Sequence, residues 1–180
     1  ISPSSLSSVA SASVDEQSSP YTMLLSMNSK ELELARSYGS SVSISGDGTV
    51  VAVGVKLAEN KAGIATGAVY MYSMANPTGS ELTLTQVVYG SEKADEEFGC
   101  ALALSNDGKR LVVGARSENG QTGAIRIYEH NCGTWELMKE GLVAGKNPEV
   151  RAGWAVSISA DGNGKHSVSC SLALSSINFL

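Results

Sequence analysis

A short phrase recurs three times along the chain, and this repetition constrains the fold more than any other feature of the sequence. The copies read YGSSVSISGDG, FGCALALSNDG and AGWAVSISADG, and their glycines Gly39, Gly99 and Gly153 are spaced 60 and 54 residues apart. From the glycine onward, seven of ten positions are identical between the first and third copies. Internal repeats of roughly 20 to 50 residues indicate solenoids, propellers or arrays, and loop insertions would lengthen such a unit slightly.

The first unit contains the pattern of four β-strands. In the segment SVSIS, Val42 and Ile44 alternate with serines, and this period of two predicts a strand. Asp47 and Gly48 follow as the signal for a two-residue type I′ hairpin, and the apolar segment TVVAVGV returns as a strand buried on both faces. The segments GAVYMYSM and LTLTQVV alternate in the same way, and GAVYMYSM places Val and Met on one face and tyrosines on the other.

The second unit has the same order, with predicted strands CALALS, KRLVVGA, GAIRIYE and TWELMKE. The third unit opens with the same hairpin but lacks the apolar return strand, although HSVSCSLAL alternates well enough for a makeshift strand. Four short antiparallel strands in a unit of this length are the pattern of a propeller blade. The sequence therefore predicts an all-β chain, a partial β-propeller of four-stranded antiparallel blades with about two full blades and a fragment of a third.

These units resemble FG-GAP repeats, which build the β-propellers of integrin α-chain heads and of many secreted or surface proteins. In the second unit, Phe98-Gly99 corresponds to the FG and Gly114-Ala115 to the GA of the motif. The first unit has Tyr38-Gly39 and Gly54-Val55 at these places, and the third has Gly153-Trp154 with no GAP equivalent. The resemblance covers residues 38–162, and it implies a propeller with a binding role in an extracellular or cell-surface protein.

The order of segments along the chain predicts five parts. Residues 1–20 are rich in serine and are predicted to be a flexible tail. Residues 21–37 are predicted to be the last strand of a preceding blade and a loop, although their SKELELA segment also has a helix start signal. The first blade repeat is predicted at 38–90, the second at 91–147 and a truncated third at 148–180. The start at Ile1 rather than Met suggests a fragment or a processed chain. Because a propeller has typically four to eight blades, we expect the chain to be a piece of a longer propeller.

The resemblance raises the question of calcium, since the family often binds Ca²⁺ through a loop of the DxDxDG type. Calcium takes six to eight oxygen ligands. The three hairpins, SGDG, SNDG and SADG, offer one carboxylate each, from Asp47, Asp107 and Asp161. A tight turn explains these aspartates, so we interpret them as hairpin-turn residues and predict no metal site and no cofactor.

The sequence offers little for catalysis. The acidic segment EKADEEFG (92–99, after Ser91) could hold a cation or a carboxylate pair, but a solvated acidic loop is the favoured interpretation. The histidines are His130 and His166, and no G-x-S-x-G elbow accompanies them. His130 is expected to be exposed in the turn EHNCGT. We therefore predict that the chain is not an enzyme and has no catalytic residues.

The aromatic and cysteine residues allow more than one interpretation. The aromatic side chains could form a face for stacking on carbohydrate, but aromatic residues at a period of two more often pack between blades, which is the favoured interpretation. The three cysteines form no C-x-x-C pair, and their odd number favours no disulfide framework. The aromatic residues concerned are Tyr70, Tyr72, Tyr89, Tyr128, Trp135 and Trp154. The cysteines are Cys100, predicted in a strand, Cys132, predicted in a turn, and Cys170.

Charge narrows the class of partner. The formal net charge is −5 and no cluster of Lys and Arg occurs, which argues against binding of nucleic acid or of anionic membranes. No apolar run is long enough to span a membrane, so direct membrane insertion is not predicted. Partners could also be the missing blades of the propeller, or a second copy that associates through exposed blade edges.

The function that follows is a non-enzymatic binding module of a surface or secreted protein. A protein or glycan ligand would be met by loops at one end of the blades, such as residues 56–66 and 116–123. The sequence leaves two alternatives open. One is an accessory propeller of a larger secreted hydrolase or lipase whose catalytic domain lies outside this chain, and the other is a purely structural repeat array.

Overall fold

The computed structural model describes residues 37–74, 82–146, 148 and 151–162, together with the backbone of residues 169–170. Within these residues the fold is all-β, as predicted, and its only helical element is one short turn. The predicted tail at residues 1–20, and all but Ser37 of the predicted preceding strand and loop at residues 21–37, lie outside the described part of the chain.

Eight strands form two antiparallel sheets that have the same strand order. The first sheet has the order β1-β2-β3-β4 and the second has the order β5-β6-β7-β8. All eight correspond to segments that the sequence predicts as strands, so the prediction of two sets of four antiparallel strands is confirmed. The strands are β1 (Tyr38–Ile44), β2 (Val50–Val55), β3 (Ala68–Met74), β4 (Leu82–Tyr89), β5 (Phe98–Leu104), β6 (Arg110–Ala115), β7 (Ala124–Asn131) and β8 (Thr134–Ala144).

Two short elements complete the described structure. After the second sheet, β9 (Val156–Ser157) pairs antiparallel with β10 (Ser169–Cys170), which lies in the segment where the sequence predicts a makeshift strand. The helical turn α1 (Glu118–Gln121) precedes β7. Its central residues Asn119 and Gly120 have φ values of 52° and 69°, so α1 is a chain reversal rather than a regular helix.

The Asp-Gly hairpins are not the predicted type I′ turns. That turn requires positive φ at both central residues, whereas Asp47 has no positive φ and only Gly48, with a φ of 73°, enters the left-handed region. The turn closes through a 3.0 Å hydrogen bond from the Gly48 amide to the Ser45 carbonyl. Asp-Gly also suits the longer hairpin loop, in which one left-handed glycine follows a β-turn, and this is the loop that the structure has.

The residues that do have the type I′ signature are Cys132 and Gly133. Their φ values are 48° and 89°, and they connect β7 to β8. His130 consequently lies in β7 and not in the turn, although it is exposed as expected. Its ring stacks on Trp135 of the adjacent strand, with 5.0 Å between the ring centroids.

The main core lies between the two sheets. Val69 and Met71 face this core, while Tyr70 and Tyr72 lie on the opposite face of β3, which confirms the predicted division of that strand. Burying one large apolar side chain stabilises a fold by roughly 1.5–3 kcal/mol, so this contact holds the sheets together. The buried residues of this core are Ala52, Val69, Met71, Val88, Phe98, Leu104, Leu111, Val113, Ala115, Tyr128 and Trp135.

The far face of the second sheet packs against residues 151–162. Val112 and Ile125 of the sheet contact Ala152, with Val156 and Ile158 at the edge of the cluster. We call the contact between the two sheets the first interface, and the contact between the second sheet and residues 151–162 the second interface. The side chains of residues 163–170 are not described, so the second interface is known only from this segment.

The same hydrogen bonds occur at both interfaces. At the end that carries the Asp-Gly hairpins, the Gly46 amide donates to the Asn106 carbonyl, and the Asn106 amide donates to the Ala160 carbonyl, both at 2.9 Å. At the other end, the Phe98 amide donates to the Thr66 carbonyl at 3.2 Å, and the Ala152 amide donates to the Thr122 carbonyl at 2.9 Å. Each interface is therefore fixed at both ends by backbone atoms.

Glycine is required where the backbones approach most closely. A Cβ added at Gly54 would lie within 3.0 Å of the Gly99 carbonyl oxygen, and a Cβ at Gly114 would lie within 3.0 Å of the Gly153 carbonyl oxygen. Real Cβ atoms essentially never come that close to another heavy atom. This approach explains why VVAVG and LVVG both end on Gly, since any side chain would separate the strands that form each interface.

Candidate functional site

The three aspartates proposed as hairpin residues act within their own turns. Asp47 Oδ1 accepts hydrogen bonds from the Ser45 hydroxyl at 2.7 Å and from the Thr49 amide at 3.0 Å. Asp107 accepts from Ser105 at 2.6 Å, and Asp161 accepts from the hydroxyl two residues before it at 2.7 Å. The donated serine hydroxyl is the main reason that the pKa values of Asp47 and Asp107 are lowered.

The hairpins that carry these aspartates are joined to each other by backbone hydrogen bonds along one end of the sheets. Among the described residues, no group of three or more Asp, Glu, His and Cys side chains comes together in a way that could hold a metal ion. The arrangement is thus a row of capped turns, in which each carboxylate stabilises the loop that carries it.

The acidic segment before β5 is only partly solvated, so the expectation of a solvated loop is wrong for one of its residues. Glu96 is buried and accepts hydrogen bonds from the amide and hydroxyl of Ser91, the amide at 2.8 Å. Glu97 pairs with Arg116, while Glu92 and Asp95 are exposed. Glu96 therefore closes its own loop onto Ser91, five residues earlier. The sequence signal available for this contact was a serine that lies a few residues before a carboxylate in the same loop.

A buried ion pair lies beside the main core and was missed by the sequence reasoning. Arg126 Nη2 and Glu118 Oε1 are 2.8 Å apart, and both side chains are almost fully buried. The Arg126 guanidinium also lies 5.4 Å from the centre of the Phe98 ring. Burial raises the pKa of Glu118, and the charge of Arg126 opposes that shift.

This ion pair is incompletely satisfied. Within the described residues, Glu118 Oε2 and Arg126 Nη1 are buried without a hydrogen-bond partner. A buried pair of this kind contributes little net stability, but removal of one partner leaves a costly buried charge. Its structural effect is to attach α1, and with it the loop 116–123, to strand β7.

The aromatic residues divide into packed and exposed groups. Tyr128 and Trp135 are buried in the main core, as the packing interpretation predicts. Gln86 of the first sheet holds Trp135 at both backbone atoms, accepting from its amide at 2.7 Å and donating to its carbonyl at 3.1 Å. Tyr70 and Tyr89 are half-buried on the outer face of the first sheet, and Trp154 is 44% exposed at the second interface.

Trp154 lies among charged and polar side chains that we call the Trp154 surface. The Arg116 guanidinium lies 4.3 Å from the centre of the indole ring, and the Arg151 guanidinium lies 5.9 Å from it. Arg116 is paired with Glu97, and Arg151 Nη2 donates to Gln121 Oε1 at 3.0 Å. Arg116 and Gln121 belong to the loop 116–123 that the sequence singles out as a ligand-binding loop.

The cysteines whose side chains are described are both free thiols. Cys100 in β5 is half-buried, and its Sγ lies 3.3 Å from the Gly153 carbonyl oxygen and 3.5 Å from that of Gly114. Burial raises the pKa of the Cys100 thiol, which makes the reactive thiolate less available. Cys132 is exposed in its turn, as expected, and the side chain of Cys170 lies outside the described residues.

Comparison with known proteins adds no family to these observations. No model of a known protein family matches the chain, and no curated protein sequence matches it. In the described part of the chain, no helix is both long and apolar enough to cross a membrane.

Proposed function

We propose that the chain is a segment of a β-propeller that binds a protein or glycan ligand and catalyses no reaction. Two sheets of identical strand order stack face to face, and the hydrogen bonds of the first interface recur at the second, which supports the propeller. Four-stranded antiparallel sheets repeated around an axis are the architecture in which such interfaces recur. The resemblance to FG-GAP repeats supports a secreted or cell-surface location for this module.

The observation that carries the binding proposal is the position of two loops. Residues 56–66 join β2 to β3 and residues 116–123 join β6 to β7, so both lie at the end of the sheets opposite the Asp-Gly hairpins. Their tips, 61–63 and 119–121, are exposed. Loops held by a rigid scaffold are a frequent place for ligand binding, because the scaffold fixes their positions at no further entropic cost.

A binding screen with matched variants tests this proposal. The purified chain is applied to a glycan array and to an array of synthetic peptides. We expect binding to one of them that is weakened by Lys61→Ala or Asn119→Ala, since both residues lie at the loop tips. The control is Lys109→Ala, an exposed residue of the hairpin at the opposite end. Failure to bind either array, or equal weakening by the control, would contradict a ligand site at the loops.

The outer face of the first sheet supports the proposal that a further sheet adjoins it in the full propeller. Val42 and Ile44 on this face are 62% and 58% exposed, whereas Leu104, which corresponds to Ile44 in the second sheet, is 9% exposed. Contiguous exposed apolar side chains favour association with another surface. Sedimentation velocity should therefore show concentration-dependent association that the Val42→Ser/Ile44→Ser double variant reduces. A cooperatively melting monomer at all concentrations would count against a covering sheet.

A further inference from the structure

Trp154 departs from the pattern at its position in the fold. The corresponding residues of the other two units are Ser40 and Cys100, which directly follow the glycines Gly39 and Gly99. Both have small side chains that lie against backbone carbonyls, with Ser40 Oγ 3.1 Å from Gly54 O and Cys100 Sγ 3.5 Å from Gly114 O. Ser40 is exposed and Cys100 is half-buried, whereas Trp154 places a large indole, 44% exposed, at the same position. Packing of the second interface thus does not require an indole, and its presence needs another explanation.

Charge at the second interface also departs from the first. Lys56 and Glu97 occupy the corresponding positions of the first interface, whereas Arg116 and Arg151 occupy those of the second. A cation and an anion are therefore replaced by two guanidinium groups beside one indole. The backbone is alike at these two positions, because Glu97 and Arg151, each two residues before Gly99 or Gly153, both have positive φ, 53° and 43°.

The two arginines differ in how their charge is used. Arg116 is paired with the carboxylate of Glu97 and lies over the indole, so it orders the ring. Arg151 donates to the neutral amide of Gln121, and no carboxylate of the described residues forms an ion pair with it. Arg116, Arg151 and Glu97 therefore leave the Trp154 surface with one more cation than anion, in a chain whose net charge is −5.

We propose that the Trp154 surface binds a side-chain carboxylate of an acidic peptide segment in a partner protein. Arginine binds carboxylates through its planar fork of donors. Tryptophan and arginine are, with tyrosine, the residues enriched at the energetic centres of protein interfaces. Because Arg116 already lies over the indole, stacking of a sugar ring on that face is obstructed, and the chemistry favours a peptide. The inference rests on the proposed binding function and names its site and ligand class.

The test uses a fluorescein-labelled peptide of alternating Asp and Gly as the probe, with binding followed by fluorescence anisotropy at low salt. We expect saturable binding that Arg151→Gln weakens roughly tenfold to a hundredfold, the loss of one charge-assisted contact. Trp154→Ala should weaken it as well. The control is Lys109→Gln, which removes one exposed positive charge from a hairpin at the opposite end of the sheets. This control should bind like the unaltered chain, and all variants should keep its melting temperature.

Three results would overturn the proposal. One is the absence of probe binding to the unaltered chain, and another is equal weakening by Arg151→Gln and Lys109→Gln, which would indicate an effect of net charge alone. The third is binding of an oligogalacturonate, but not of the peptide, in a manner lost with Arg151→Gln. In that third case a carboxylate-bearing glycan is the ligand, and the proposed binding function survives while the peptide does not. Failure of the peptide, the oligogalacturonate and both arrays together would remove the binding function as well.

Discussion

Substitution of Gly54 by alanine tests the close approach of the two sheets. The added Cβ would lie within 3.0 Å of both the Gly99 carbonyl oxygen and the Ser41 hydroxyl, so the strands must separate by roughly 1 Å. Overpacking of this kind costs about 1–3 kcal/mol. The separation also breaks the 2.7 Å hydrogen bond from Ser41 to the Gly99 carbonyl, which contributes about 1 kcal/mol. We therefore expect the free energy of unfolding to fall by about 2–4 kcal/mol.

Urea unfolding followed by circular dichroism measures this loss, and Gly114→Ala provides a second instance at the other interface. The sign of the effect is the decisive quantity. Where no backbone approaches a glycine in a strand, its replacement by alanine stabilises the fold by about 0.5–1 kcal/mol, because the unfolded chain becomes less flexible. If both variants are as stable as the unaltered chain or more stable, the sheets do not pack as described.

Three further predictions concern buried and charged side chains. Asp107→Asn should lower the free energy of unfolding at pH 6, because the lowered pKa of Asp107 stabilises the fold at pH values above the unfolded pKa, about 3.9. This loss should shrink as the pH falls below about 3.9 towards the folded pKa. A difference in the free energy of unfolding that is independent of pH would contradict this. Arg126→Met should lower the free energy of unfolding by about 3–5 kcal/mol at pH 7, because Glu118 is left buried without its partner. The loss should be smaller at pH 4, where Glu118 takes up a proton. A loss equal at both pH values would show that Glu118 is not buried. Phe98→Ala should lower the free energy of unfolding, measured in urea, by about 3–5 kcal/mol, and Phe98→Leu should lower it much less. A loss below about 1 kcal/mol for the alanine variant would place Phe98 outside the core.

The strands could be predicted from the sequence because each sheet has two different faces. Alternation along GAVYMYSM divides Val69 and Met71 from Tyr70 and Tyr72, and the structure buries the first pair between the sheets. The hairpin positions were predicted as well, since Asp-Gly marks a turn of either length. The turn type was not, because it depends on whether one or two residues take positive φ, and Asp47 is compatible with both.

The buried charges and the Trp154 surface could not be predicted, because their partners come from separate segments of the chain. Glu118 and Arg126 are both polar in the sequence, and only the fold brings their side chains together in an apolar setting. Arg126 did carry a signal, since it lies at the same place in its strand as Tyr70, and this face of the second sheet packs against the first sheet. Exposure of Trp154 likewise depends on the position of residues 151–162 against the second sheet.

The proposed propeller depends most on one structural feature, the joining of adjacent sheets into one stack through their hairpins. Native-state hydrogen exchange at the amides of Gly46 and Asn106 tests it, because both residues are exposed and neither belongs to a strand. Each donates its amide hydrogen to the neighbouring hairpin at 2.9 Å. If the stack exists, these two amides are protected to a level approaching that of the strands β2 and β6. If they exchange as quickly as those of free turns while β2 and β6 stay protected, the sheets are folded but not joined in this way.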